Sequence, residues 1–174
     1  TSGTTQALLA PDAWPPSVAA VRLVVGASGM VAYIAWRGLA AQWSSLLRRP
    51  LIWLMAVGVA GYQAFFFVGV HVAGVATGTL VALGSAPFLA GLLGWAMGEG
   101  APGWVWAAAT SVGIAGLVVL TGSGDAAMVG ILAALAAAAS YAVYTVFGAQ
   151  LARGGQDPSA VLAAAFTLGA VLLL

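Results

Sequence analysis

The chain has 174 residues, of which 63% are hydrophobic and 5% charged, with five Arg, no Lys and four acids. A soluble domain carries roughly 25% charged residues, so this chain cannot solvate a globular surface, and it is too apolar to stay a solvated coil. A net charge of +1 supplies no field to hold nucleic acid, and the lack of cysteine removes disulfides, thiolate metal sites and thiol nucleophiles. These figures point to an all-α, polytopic membrane helix bundle whose first partner is the lipid bilayer.

In chain order, Thr1 to Ala10 reads as the tail of an earlier helix ending at Pro11-Asp12, because it lacks the basic region of a signal peptide. Ser17 to Trp36 is the first whole span, with Arg22 inside its opening turns. A loop over 37–50 carries Arg37, Arg48 and Arg49. The 49 residues between Arg49 and Glu99 hold no formal charge. A bilayer core takes about 20 helical residues, so this stretch must contain two spans. They are expected at about 51–70 and 76–97, with the turn at His71-Val72-Ala73-Gly74. Uncharged stretches from Gly100 to Gly124 and from Ala126 to Ala152 give spans at about 103–121 and 129–149. A last apolar run begins at about 159 and reaches Leu174 without a flank or cap, so it reads as a helix cut in mid-membrane. The chain is therefore expected to be a piece of a longer protein.

Counting turns alternately puts Arg37, Arg48, Arg49 and Arg153 on one side of the membrane, and Asp12, His71 and Asp125 on the other. The positive-inside rule makes the first side cytoplasmic, with a cytoplasmic N-terminus in a cell (inner or plasma) membrane. Tryptophan supports the same orientation. Trp36, Trp43, Trp53, Trp95, Trp104 and Trp106 all fall at that side, where indole prefers the headgroup level, and Trp14 alone falls at the other.

Helices in lipid associate by close backbone contact, so small residues at helical spacing mark packing faces. Gly74 and Gly78, then Gly94 and Gly98, are such pairs, and Gly84, Gly91 and Gly98 recur every seven residues. Pro87 has no N–H and frees the carbonyl of Leu83, which predicts a helix kink near mid-membrane. Glu99 ends a helix, where its sign opposes the dipole, so a loop Arg is the expected partner.

The segment from Gly78 through Ser85-Ala86-Pro87, followed by an apolar stretch to Gly98-Glu99, resembles the fourth helix of the EamA family in the drug/metabolite transporter superfamily. Ala20-Val21-Arg22-Leu23 resembles that family's Arg near the start of its second helix, and Ser2-Gly3-Thr4-Thr5 the segment after the Trp-Gly of its first. The resemblance implies ten helices in two five-helix repeats of inverted topology. Residues 1–125 would be the first repeat, from the end of helix one through helix five. Residues 126–174 would be the start of the second, with helix six and part of helix seven. The sequence itself pairs Pro16-Ser17 with Pro158-Ser159, each a Pro-Ser entry to an apolar helix, while Arg22 pairs with Ala164. Five spans lie between the matched helices, and an odd number inverts the second copy.

Polar groups at mid-depth are the candidates for function, because burying them without a partner costs roughly 2–7 kcal/mol. They are Tyr62 and Gln63 in the 51–70 span, Ser85 beside the predicted kink, and Ser140, Tyr141 and Tyr144 in the 129–149 span. They are expected either to line a passage for a neutral or zwitterionic solute or to tie helices together. Arg22 either attracts a substrate carboxylate or snorkels to headgroups. His71 is read as a wet loop residue. No acid lies inside a span and the single His sits at a turn, so neither an intramembrane catalytic set nor a metal site is expected, and no cofactor is implied. The expected function is a multi-pass transporter that exports amino acids, related small metabolites or drugs by alternating access. The alternative is a non-transporting scaffold or subunit held by glycine-mediated packing.

Overall fold

Hydrocarbon offers a backbone no hydrogen-bond partner, so an apolar chain of this kind satisfies its own N–H and C=O groups by forming helices. The computed structural model describes residues 15–121 and 128–174. Among these, the elements are helix α1 (Pro15–Trp36), α2 (Ala40–Leu46), α3 (Pro50–Ala73), α4 (Val75–Ala96), α5 (Trp104–Thr121), α6 (Met128–Arg153) and α7 (Pro158–Leu173). Four of them, α1, α3, α4 and α6, are long and apolar enough to cross a membrane. The 18-residue α5 occupies the expected fifth span, and α7 is a shorter apolar helix. The chain is thus a polytopic helical membrane protein. Asp12, Trp14, Asp125 and the expected N-terminal tail lie outside the described residues.

Three boundaries differ from the sequence reading, each for a local reason. The turn expected over His71-Val72-Ala73-Gly74 shrinks to Gly74, because nothing before it breaks the helix and α3 runs on through Ala73. Gly74 takes φ 85° and ψ 157°, a conformation that strains any residue with a Cβ. Helix α6 continues past 149 to Arg153 and stops before Gly155, at φ 80°. The 37–50 stretch is not wholly a loop. Its middle forms α2, whose Leu46 is buried and whose Trp43 packs into the same core as Val161 and Leu168 of α7. Trp43 therefore serves partly as a packing residue, whereas Trp36 and Trp104 are more than 80% exposed.

Helix α3 is the hub, packing against α1, α4, α6 and α7, with its most extensive contact on α6. Backbone approach makes that contact possible. A Cβ added at Gly58 would lie 2.8 Å from the Ser140 carbonyl, and one at Gly69 would lie 3.0 Å from the Ala134 nitrogen. At the far end of the seam, a Cβ on Gly130 would lie 2.6 Å from the Ala73 nitrogen. These glycines were not singled out by spacing.

The six that were have differing environments. Gly78 presses on the backbone of Val70 in α3, at 2.8 Å from an added Cβ, and Gly91 accepts the Trp106 indole of α5. Gly74 and Gly98 are positive-φ residues at helix ends. Gly94 meets the carboxylate of Glu99, and Gly84 faces open space. Pro87 sits within α4 without ending it, on an exposed face.

One end of the bundle carries the ion pairs. Arg153, ending α6, pairs with Glu99 beyond α4, which gives Glu99 the Arg partner its position called for. Arg37 after α1 reaches Asp157 before α7 at 3.8 Å and also donates to the Tyr33 hydroxyl at 2.9 Å. Asp157 caps α7 by accepting from the Ser159 N–H at 2.8 Å, and that bond, with Arg37 nearby, lowers its pKa below the ordinary carboxylate value. Gln42 of α2 donates to Gln156 across the same end.

The seam predicts a contrast between two glycine substitutions. Gly130→Leu is expected to cost about 1–3 kcal/mol by overpacking and to lower Tm by several degrees. Gly84→Ala, with open space around it, is expected to leave Tm within about a degree, since surface changes stay within about 0.5 kcal/mol. Thermal unfolding of the purified protein in detergent checks both.

Candidate functional site

Tyr62 stands halfway along α3 and Tyr141 halfway along α6, so the seam that joins the two helices also brings these rings together at mid-depth. Their centroids lie 5.5 Å apart in an edge-to-face arrangement. Tyr144, three residues after Tyr141 and hence on the same helix face, adds a second edge contact at 5.4 Å. Tyr62 also packs on Phe66 at 5.5 Å, and Phe66 on Phe67 at 5.5 Å. The result is a continuous aromatic wall built from α3 and α6. Edge-to-face contacts of this kind contribute roughly 0.5–1.5 kcal/mol each beyond burial.

Helix α1 brings Arg22 to this wall. Its guanidinium carbon lies 5.8 Å from the centroid of the Phe67 ring and is close enough to act electrostatically on the Tyr62 hydroxyl. Phe67 and Tyr62 lie progressively farther along α3 from its end at Ala73. Arg22 itself is exposed. Among the described residues no carboxylate pairs with it and no hydrogen bond joins it, and its contact there is the Phe67 ring.

Gln63 is 7% exposed, and its Oε1 has no hydrogen-bond partner among the described residues. The two remaining candidates lie elsewhere. Ser140 is part of the seam, with its carbonyl against Gly58 and its Oγ 2.8 Å from a Cβ built on Gly61. Ser85 is buried on α4, with no ring contact or hydrogen bond to the tyrosines among the described residues.

Spacing alone missed Phe67, since it lies in the run Phe65-Phe66-Phe67 and its cationic partner is on another helix. Thr145 was missed as well. Its hydroxyl bonds back to the Tyr141 carbonyl at 2.9 Å, and it lines a groove of about 270 Å³ between α3, α6 and α7. That groove runs from Tyr144, past Met55 and Gly148, to Ala152 and Pro158 at the end of the bundle that carries the ion pairs. A Cβ at Gly148 would lie 3.1 Å from the Met55 methyl. His71 is exposed in the last turn of α3. Among the described residues no group of three His, Cys, Asp or Glu could hold a metal ion.

The unpaired oxygen of Gln63 makes a measurable prediction. A buried acceptor without a partner costs about 1–3 kcal/mol, so Gln63→Met, similar in volume, is expected to raise the Tm of the substrate-free protein by a few degrees. A fall in Tm would mean that the amide has a structural partner.

No family model matches this chain. It is similar to a protein of Bacillus subtilis (strain 168) named "Uncharacterized transporter YwfM", with 37% identity over 178 residues covering 99% of this chain and 58% of that relative. The chain thus spans somewhat more than half the length of the relative it matches. No solved structure matches.

Proposed function

We propose that the chain belongs to a membrane transporter of the EamA type, which moves small neutral or zwitterionic metabolites, amino acids among them, out of the cell by alternating access. The observation that carries this reading is the aromatic wall of Tyr62, Tyr141 and Tyr144 at mid-depth, with Arg22 over the neighbouring Phe67 ring and a groove leading away from Tyr144. A helix bundle held together only for packing has no need of the buried, unsatisfied amide oxygen of Gln63, which opposes stability. The printed name of the Bacillus subtilis relative supports the same reading.

Residues 1–125 are the first repeat in this proposal and 126–174 the start of the second. Both Pro-Ser pairs of the internal match stand in the first turn of a helix, α1 and α7, in line with such a repeat. The Arg-bearing end faces the cytoplasm by the positive-inside rule, so the groove from Tyr144 would open to that side. Solute would enter along the groove past Met55 and Gly148, rest against the tyrosine faces, and leave when the repeats rock about this site. The edge-to-face rings suit a cationic or apolar group, since an ammonium over a ring face gains about 0.5–2 kcal/mol. A single guanidinium is too little charge for phosphates or nucleotide sugars, which require several cations.

Transport by the full-length protein in liposomes tests the reading. Tyr62→Ala or Tyr141→Ala is expected to cut flux at least tenfold while the variant elutes and unfolds as a folded protein. Unchanged flux in both would remove the aromatic wall from the pathway.

A further inference from the structure

Three side-chain contacts join separate elements at the Arg-bearing end, and all three fall on the turn between α6 and α7. Arg153 pairs with Glu99 beyond α4, Gln156 accepts from Gln42 of α2 at 3.4 Å, and Asp157 faces Arg37 after α1 at 3.8 Å. The turn is compact. The Gly155 N–H donates to the Ala152 carbonyl at 3.0 Å and the Gln156 N–H to the Leu151 carbonyl at 3.3 Å, while Asp157 caps α7. It is therefore built to move as one body with the ends of α6 and α7. Its flanking residues, Ala152 and Pro158, line the groove that leads to Thr145 and Tyr144. The strength of the contacts suits a latch better than a staple. The side chains of Arg153 and Arg37 are 59% and 44% exposed, and an exposed ion pair changes an equilibrium constant by only about 1.4- to 5-fold. That factor adds little to a fold, but it visibly shifts a protein whose second conformation is populated at about 0.1–10%.

We propose that the α6–α7 turn is a gate on the groove, latched in the observed form by Glu99, Gln42 and Arg37. Release of the latch lets the ends of α6 and α7 swing away from α1, α2 and α4, which widens the groove and admits water as far as Thr145. The proposal rests on the transporter reading, in which the turn belongs to the second repeat and its three anchors to the first. The latch then spans the joint about which the repeats rock.

Thiol labelling tests the gate without a substrate. The full-length protein carries Thr145→Cys at the inner end of the groove, and a water-soluble maleimide is applied to open membrane fragments so that it reaches both faces. The labelling rate at that residue is read by mass spectrometry. Ser85→Cys, on a buried position of α4 outside the groove, serves as the control. Glu99→Gln, or Arg153→Gln from the other side of the same pair, is expected to speed labelling of Thr145→Cys about 1.4- to 5-fold. Adding Arg37→Gln should bring the gain to about 2- to 30-fold, with no change at Ser85→Cys. Exchanging the pair, Glu99→Arg with Arg153→Glu, should return the rate to the wild-type value, whereas either reversal alone should not. An equal gain at Ser85→Cys would mean that the bundle has merely loosened and would overturn the gate. So would a rate at Thr145→Cys that is undetectable or unchanged in every variant, or an exchanged pair that stays fast. Flux in liposomes separates this proposal from the reading beneath it. If labelling responds but no solute moves, the transporter reading fails and the latch stands as a structural switch. If flux depends on Tyr62 and Tyr141 but labelling does not respond, the gate fails and the transporter reading stands.

Discussion

Close backbone contact between α3 and α6 is the constraint on which the remaining architecture depends. Two apolar helices gain nothing from hiding in lipid, because the tails are as apolar as their side chains, so contact must be won by van der Waals packing at short range. Gly58, Gly61, Gly69 and Gly130 allow it, since each lies where a Cβ would meet the opposing helix at about 3 Å or less. With α3 and α6 fixed in this way, α1, α4 and α7 pack on what remains of the α3 surface, and α4 also packs on α6. Trp106 then fastens α5 to α4 through Phe88, with ring centroids 5.9 Å apart, and through Gly91. The same seam puts Tyr62 opposite Tyr141, so the contact that organises the bundle also builds the aromatic wall.

The few charges are used in two different ways. At the Arg-bearing end, Glu99–Arg153 and Arg37–Asp157 tie α4 to α6 and α1 to α7, where water reduces the cost of ionisation. Arg22, also exposed, lies instead over the face of the Phe67 ring. Natural proteins tend to break local rules of satisfaction where function requires it. Gln63 is such a case, a buried and unsatisfied amide oxygen on the residue next to Tyr62 of the aromatic wall.

Much of the fold is legible in the sequence because charge gaps measure helix length directly. The uncharged stretch between Arg49 and Glu99 has room for two spans, and it forms α3 and α4. Helix ends were less legible. The uncharged window stops at Ala152, yet Arg153 still belongs to α6, since a basic residue is at home in the last turn of a helix. Glycine showed the limit of periodicity. The seven-residue series Gly84, Gly91, Gly98 looks like one face, yet its members meet open space, an indole and a helix cap. The working seam is formed by glycines at uneven spacing, because α6 and not a repeat dictates where each is needed. Tyr62, Tyr141 and Tyr144 were visible as mid-depth polar residues, but their convergence depends on the register between two helices separated by more than fifty residues.

Cross-linking of Tyr62→Cys with Tyr141→Cys in native membranes tests the central geometry most directly, since this chain contains no cysteine. With ring centroids 5.5 Å apart, a short bifunctional thiol reagent should join the two positions within one chain in high yield, as read by mass spectrometry. Failure of that pair to cross-link, while a Phe88→Cys and Trp106→Cys control pair does so, would contradict the α3–α6 register and the site built on it.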